Sequence, residues 1–206
     1  AEGASLHKAA ASDPSSTPPL ALPVPFASAA AAAAPPPPSG DAAHVVHVPR
    51  HLGASLPAWP AGEVPLLVFR GADAEHFCLG GDPTALRDLA SGAFLNGLPG
   101  FVDLHARLVR AGPPTLTVCH GATRGGGMLF PCASTLVLAH TDATFGFPEV
   151  RRGALPGVVS VAARRRLGGA ACARLFCTGD DVDAPTALRM GLVDFVGSWE
   201  EIDAEV

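Results

Sequence analysis

Apolar residues along this chain come in short runs separated by glycine and proline. His44-Val45-Val46-His47-Val48 is a β-branched run and predicts a strand. Leu66 to Phe69 is continuously apolar and predicts a buried strand. Phe101, Leu104 and Leu108 stand at helical spacing, which predicts a helix over 101–109 that Pro113-Pro114 stops. Thr115 to Val118 and Thr135 to Ala139 predict a third and a fourth strand. Helices are expected over 83–90, 158–167 and 185–190, with Gly191 closing the last of them, and Leu192 to Val196 reads as a further strand. Strands alternating with helices and Gly-rich turns predict an α/β architecture, and no internal repeat is visible.

The pattern fails in the first 40 residues. Ala29 to Ala34 is an alanine run, and Pro35 to Pro38 follow it. Such a segment buries too little apolar surface to offset its ordering entropy, so residues 1–40 are expected to be a disordered linker and 41–206 the folded domain.

Composition narrows the function classes. The formal net charge is −5 with only 14 Lys and Arg, and the longest basic run is Arg164-Arg165-Arg166. Nucleic-acid binding needs a positive surface, so no nucleic acid is expected as a partner. No run approaches the ~18 apolar residues of a membrane span. Five cysteines, odd in number and without a C-x-x-C pair, predict reduced thiols and a cytoplasmic setting. The histidines are scattered, and none stands at metal-ligand spacing with a carboxylate, so no metal is expected. Residues 1–49 hold no Arg and a single Lys, Lys8, which argues against a transit peptide. The chain starts without Met and stops at Glu205-Val206, which suggests a piece of a longer polypeptide.

The candidate chemistry lies in three segments. Phe77 to Asp82 and Gly121 to Gly127 are Gly-rich turns that each leave a strand and enter a helix; Thr144 to Glu149 is the third segment. Glycine lets backbone approach a ligand closely. First-turn N–H groups of a helix lack an internal partner and favour negative charge. Two such groups aimed at one point form an oxyanion hole, which suits a thioester carbonyl becoming an enolate. A carboxylate in the same pocket can move the α-proton. Neither turn fits a dinucleotide fingerprint or a P-loop.

In this order the segments resemble the enoyl-CoA hydratase/isomerase (crotonase) superfamily. Phe77 to Asp82 matches its Phe, two small residues, Gly, small residue, Asp pattern. Gly121 to Gly127 matches its Gly-x-x-x-Gly-Gly-Gly turn, and Phe145 to Glu149 its Phe-Gly-x-Pro-Glu. Gly153 to Gly157 and Ala187 to Val193 match two later motifs. The resemblance implies a crotonase-like spiral of ββα units, here shortened at both ends of the core, and assembly as a homotrimer if the C-terminus is complete. It implies backbone N–H groups of Gly81 and Gly126 in the oxyanion hole and Glu149 as a catalytic acid/base. It also implies a substrate carried as a thioester on CoA or acyl carrier protein, with no further cofactor.

The sequence departs from the family at several points. The first catalytic glutamate of the hydratases falls at Leu129, which leaves one acid and turns attention from hydration to one-base proton transfer, dehydration or decarboxylation. Pro131 stands close to the start of the helix after the triple glycine. Arg124 holds a usually apolar position, as a ligand contact or an ion pair; His120 is either pocket lining or structural. The stretch 51–65 is short and Pro-rich where the family has a helix near the CoA nucleotide. The chain ends soon after Val196, without the family's C-terminal helices. An excised fragment, a natural short form and a decayed enzyme all fit that ending. Two functions compete: an enzyme stabilising an acyl-thioester enolate, such as a domain of a polyketide or fatty-acid megasynthase, and a non-catalytic acyl-thioester binder or assembly subunit.

Overall fold

The structure is a computed structural model, which describes residues 43–52, 59, 64–82, 93–110 and 112–206. The expected linker over 1–40, the helix over 83–90 and most of 51–65 lie outside the described residues.

Two sheets carry the described fold. The larger is parallel throughout and runs β1 (His44–Val48), β2 (Leu67–Gly71), β4 (Thr115–Cys119), β6 (Leu136–His140), β9 (Phe195–Gly197). The smaller runs β3 (His76–Cys78), β5 (Ala122–Arg124), β7 (Thr144–Gly146), β8 (Asp181–Asp183), with only the last pair antiparallel. Each winding of the chain gives one strand to each sheet: β2 then β3, β4 then β5, β6 then β7. Helices α1 (Ala93–Val109) and α2 (Leu129–Ala133) separate these windings. This is the expected spiral of ββα units.

The parallel sheet is covered on both faces, so β2 and β4 are buried along their whole length and read as unbroken apolar runs. Phe69 faces the larger core with Phe77, Phe130, Phe145 and Phe147. Val68 faces a smaller one with Leu116, Val118, Leu138 and Ile202. Arg70 shares the Val68 face by strand alternation; it is buried and its Nη2 donates to Asp203 Oδ1 at 2.9 Å.

Several elements depart from the expectations. Helix α1 starts eight residues before Phe101 and runs through Pro99. Proline removes one helical hydrogen bond, but buried Leu104 and Leu108 hold the helix from its C-terminal half. The short strands of the second sheet were not foreseen, nor were α4 (Gly169–Thr178) and α6 (Trp199–Glu205). Helices α3 (Gly157–Leu167) and α5 (Ala184–Arg189) stand where expected. Gly191 adopts φ +74° and donates to Leu188 O, as a helix-closing glycine does; the following strand begins at Phe195 rather than Leu192.

Candidate active site

Backbone hydrogen bonds tie the first Gly-rich turn to the segment after β1. After β3, Leu79 N–H donates to Arg50 O at 2.7 Å and Leu52 N–H donates to Gly80 O at 2.7 Å. Gly81 pairs with Leu52 in an isolated parallel bridge. Gly80 stands at φ +81°, a conformation that favours glycine. Burial pushes the Cys78 thiol up to about 12, against the bond from Gly80, so this thiol stays protonated at neutral pH.

The second turn follows β5. Gly125, at φ +52°, opens a 3₁₀ turn over Gly125–Met128 that runs on into α2. No side chain caps this start, and its first N–H groups, Gly126 among them, have no partner within the helix. Pro131 is the third residue of α2, inside its first turn, where its missing N–H is tolerated; the segment before it winds tightly as 3₁₀.

The two turns meet. A Cβ on Gly80 would stand 2.7 Å from Gly126 N and 3.3 Å from Gly127 N. A Cβ on Gly127 would collide with the carbonyl of Cys78. A Cβ on Gly81 would meet no described atom within 4 Å. Glycine at 80 and 127 is therefore a packing requirement, and it brings the segment carrying Gly81 against the one carrying Gly126.

Glu149 packs against the start of the second turn. Pro148 opens a 3₁₀ turn over Pro148–Arg152, with Glu149 in its first turn. A Cβ on Gly125 would lie 3.1 Å from Glu149 Oε1, so this carboxylate rests on the glycine that starts the second turn. Its Oε2 is buried without a hydrogen-bond partner. Burial holds the carboxyl above its ordinary value, against a smaller pull from its own backbone and Arg152. Leu129 is buried in the large core beside Met128 and Phe130. The position of the family's first catalytic glutamate is thus apolar and packed.

Arg124 is an ion pair, not a group turned toward a ligand. Its Nη2 donates to Asp181 Oδ2 at 2.9 Å and its Nη1 to Thr144 O at 2.6 Å, tying β5 to β7 and β8. His120 is structural. It is buried, its Nε2 lies 2.8 Å from Asp73 O, its ring packs on Trp199, and burial lowers its pKa.

With two Gly-rich turns interlocked and a buried carboxylate against one of them, comparison with known proteins becomes informative. The family model described as enoyl-CoA hydratase/isomerase matches residues 62–206. The chain belongs to the enoyl-CoA hydratase/isomerase family. It is 30% identical over 164 residues to a cyclohexa-1,5-dienecarbonyl-CoA hydratase of Thauera aromatica, covering 80% of this chain and 61% of that protein. It is 28% identical over 135 residues to an enoyl-CoA isomerase/hydratase of Mycosarcoma maydis, covering 65% of this chain and 49% of that protein. Among solved structures, AtuE of Pseudomonas aeruginosa superposes with a TM-score of 0.64 at 34% identity, covering 69% of this chain and 57% of that one. An enoyl-CoA hydratase/isomerase of Marinobacter aquaeolei gives 0.62 at 27% identity, covering 69% and 56%. The chain spans about half to three fifths of the length of these family members.

Three residues at this site carry no signal of their own in the sequence: Gly80 and Gly125, which stand within glycine runs, and Phe101, a helix position whose ring lies 2.6 Å from the Cβ position of Gly126. The positive φ of the two glycines and the packing of the Phe101 ring are three-dimensional facts without a local signature.

Proposed function

We infer that this family member stabilises the enolate of an acyl thioester and uses Glu149 to move the α-proton. The observation that carries the reading is the Glu149 carboxylate, which rests on Gly125 with one oxygen buried and unpartnered. An unsatisfied buried oxygen in a family pocket is suited to accept a proton from a bound substrate. Its raised pKa brings it closer to the neutral range, where a carboxyl exchanges protons best.

In this reading the N–H groups of Gly81 and Gly126 receive the thioester oxygen. Glu149 removes the α-proton, charge moves to that oxygen, and the two donors hold it. Returning the proton to the γ-carbon of an enoyl thioester completes an isomerisation with one carboxyl group. Buried Leu129 favours this over hydration, in which two carboxylates position water. The substrate's carrier is CoA or a carrier protein, and no other cofactor enters. A megasynthase setting, a cytoplasmic location and trimeric assembly belong to the same reading.

A second reading has one observation in its favour. Leu129 packs the position of the other acid, as expected in a non-catalytic thioester-binding or assembly subunit. Product analysis by mass spectrometry separates the two. Incubation with 3-enoyl and 2-enoyl thioesters on CoA and on carrier protein, with the isomers separated by chromatography, should give shifted double bonds without water gain, and 3-hydroxyacyl thioesters should stay unchanged. Hydrated product would contradict the one-base reading, and binding without product would favour the second one.

A further inference from the structure

The ring of Phe101 lies across the backbone of Gly126. A Cβ on Gly126 would come 2.6 Å from Cε1 and 3.0 Å from Cζ of that ring, and 3.6 Å from Gly80 Cα. Both glycine turns and this ring edge therefore meet around one peptide unit. Phe101 is only partly buried and packs at the margin of the large core. The helix that carries it is anchored elsewhere, by Leu104 and Leu108, both buried. The Phe101 ring occupies volume beside Gly126.

That volume matters for any acyl group whose oxygen is bound at Gly126. An oxygen accepting from this N–H sits ~2.9 Å from the nitrogen, which places the acyl α-carbon on the order of 4–5 Å away. The ring edge borders the Cβ position of Gly126, 2.6–3.0 Å from it, so an α-carbon substituent turned to that side meets the ring. A flat aromatic edge accepts a methylene chain along it but leaves little room for branching at the first carbon.

We propose that Phe101 determines acyl specificity: its ring admits acyl groups with an unbranched α-carbon and rejects those branched or cyclic there. This rests on the thioester reading above.

The test compares butyryl-CoA with cyclohexanecarbonyl-CoA, both of which carry an exchangeable α-hydrogen. The full chain and its Phe101→Ala, Phe101→Leu and Phe101→Trp variants are assayed for α-proton exchange in D₂O, with affinities from calorimetry. The unmutated protein should favour butyryl-CoA in exchange efficiency by ~10-fold or more. Phe101→Ala should reduce that preference by about 10-fold, mainly through gain on the cyclic acyl group; Phe101→Leu should fall between, and Phe101→Trp should widen it. If the alanine variant fails to fold, the leucine and tryptophan variants carry the comparison. A preference unmoved within about twofold across the variants, or an unmutated protein that favours the cyclic acyl group, overturns the proposal. If the unmutated protein neither binds nor exchanges any thioester, the thioester reading itself falls and takes this proposal with it. That outcome is distinct from an active protein whose preference does not move.

Discussion

Gly80 is packed so closely on Gly126 that a single methyl group would reach the Gly126 nitrogen: a Cβ at position 80 would stand 2.7 Å from it. This contact joins two segments that are more than forty residues apart in the chain. Gly80 also holds φ +81°, so an alanine there is strained by its own backbone as well. Gly80→Ala should push the two turns apart and lower α-proton exchange by ~10²-fold or more, the scale of losing one oxyanion donor. Gly153, at φ +70° with nothing near its Cβ position, supplies the control. Gly153→Ala carries backbone strain alone, so exchange normalised to folded protein should hold there and fall at position 80.

Glu149 should cost the fold stability at neutral pH. Its pKa is raised by burial, so the folded state binds its proton more tightly than the unfolded chain does. The carboxyl group's favourable contribution is complete below the ordinary glutamate pKa of about 4.3 and is lost as pH rises through the folded pKa. Glu149→Gln should therefore melt at a higher temperature than the unmutated protein at pH 8, and the gap should close on acidification. A glutamine variant less stable at pH 8 would show that the carboxylate has a stabilising partner.

Asp142 titrates with the opposite sign. Burial pushes its carboxyl up, but bonds from Gly121 N–H at 3.1 Å and His140 at 2.7 Å outweigh this and leave it below the ordinary value. Its stabilising contribution is present above the unfolded pKa of about 3.9 and is lost as pH falls through the lower folded pKa. Asp142→Asn should lower the melting temperature at pH 7, with the deficit shrinking below about pH 4. A deficit that is constant with pH would mean that shape, not charge, holds the start of the second turn.

Arg70 is a buried cation whose recorded partner is Asp203 at 2.9 Å; its Nε and Nη1 are buried without one. Asp203→Ala should destabilise by about 1–3 kcal/mol in urea unfolding, less than a fully buried pair because Asp203 is partly exposed. Adding Arg70→Met should recover much of the loss, since the uncompensated charge is then gone. A double variant no better than the single one would place the cost in packing.

The fold and site were legible in the sequence to different depths. The parallel sheet was readable because β2 and β4 are buried on both faces, which makes Leu66 to Phe69 and Thr115 to Val118 continuous apolar runs. The second sheet was not. Its strands have three residues each, too few for a period-2 pattern, and β5 lies inside a run read as a glycine turn. Helix α4 opens with Gly168-Gly169, and α6 announces itself only by the Ser198–Glu201 capping box. At the site, the two glycine turns are visible in the sequence itself, while Glu149 is visible through the family resemblance and Leu129 as a departure from it. The orphaned Oε2, the left-handed Gly80 and Gly125, and the ring on Gly126 depend on packing between distant segments.

In the proposed reaction Glu149 moves the substrate α-proton while backbone N–H groups hold the thioester oxygen. Glu149→Gln keeps the shape of the side chain and removes its proton transfer. The most direct measurement is exchange of the α-protons of butyryl-CoA with D₂O, followed by mass spectrometry, alongside calorimetric affinity. The unmutated protein should exchange them, more slowly at low pH as Glu149 becomes protonated. Glu149→Gln should bind about as tightly and exchange ~10²-fold more slowly or worse. Equal exchange by the two proteins, with binding intact, would remove Glu149 from the mechanism.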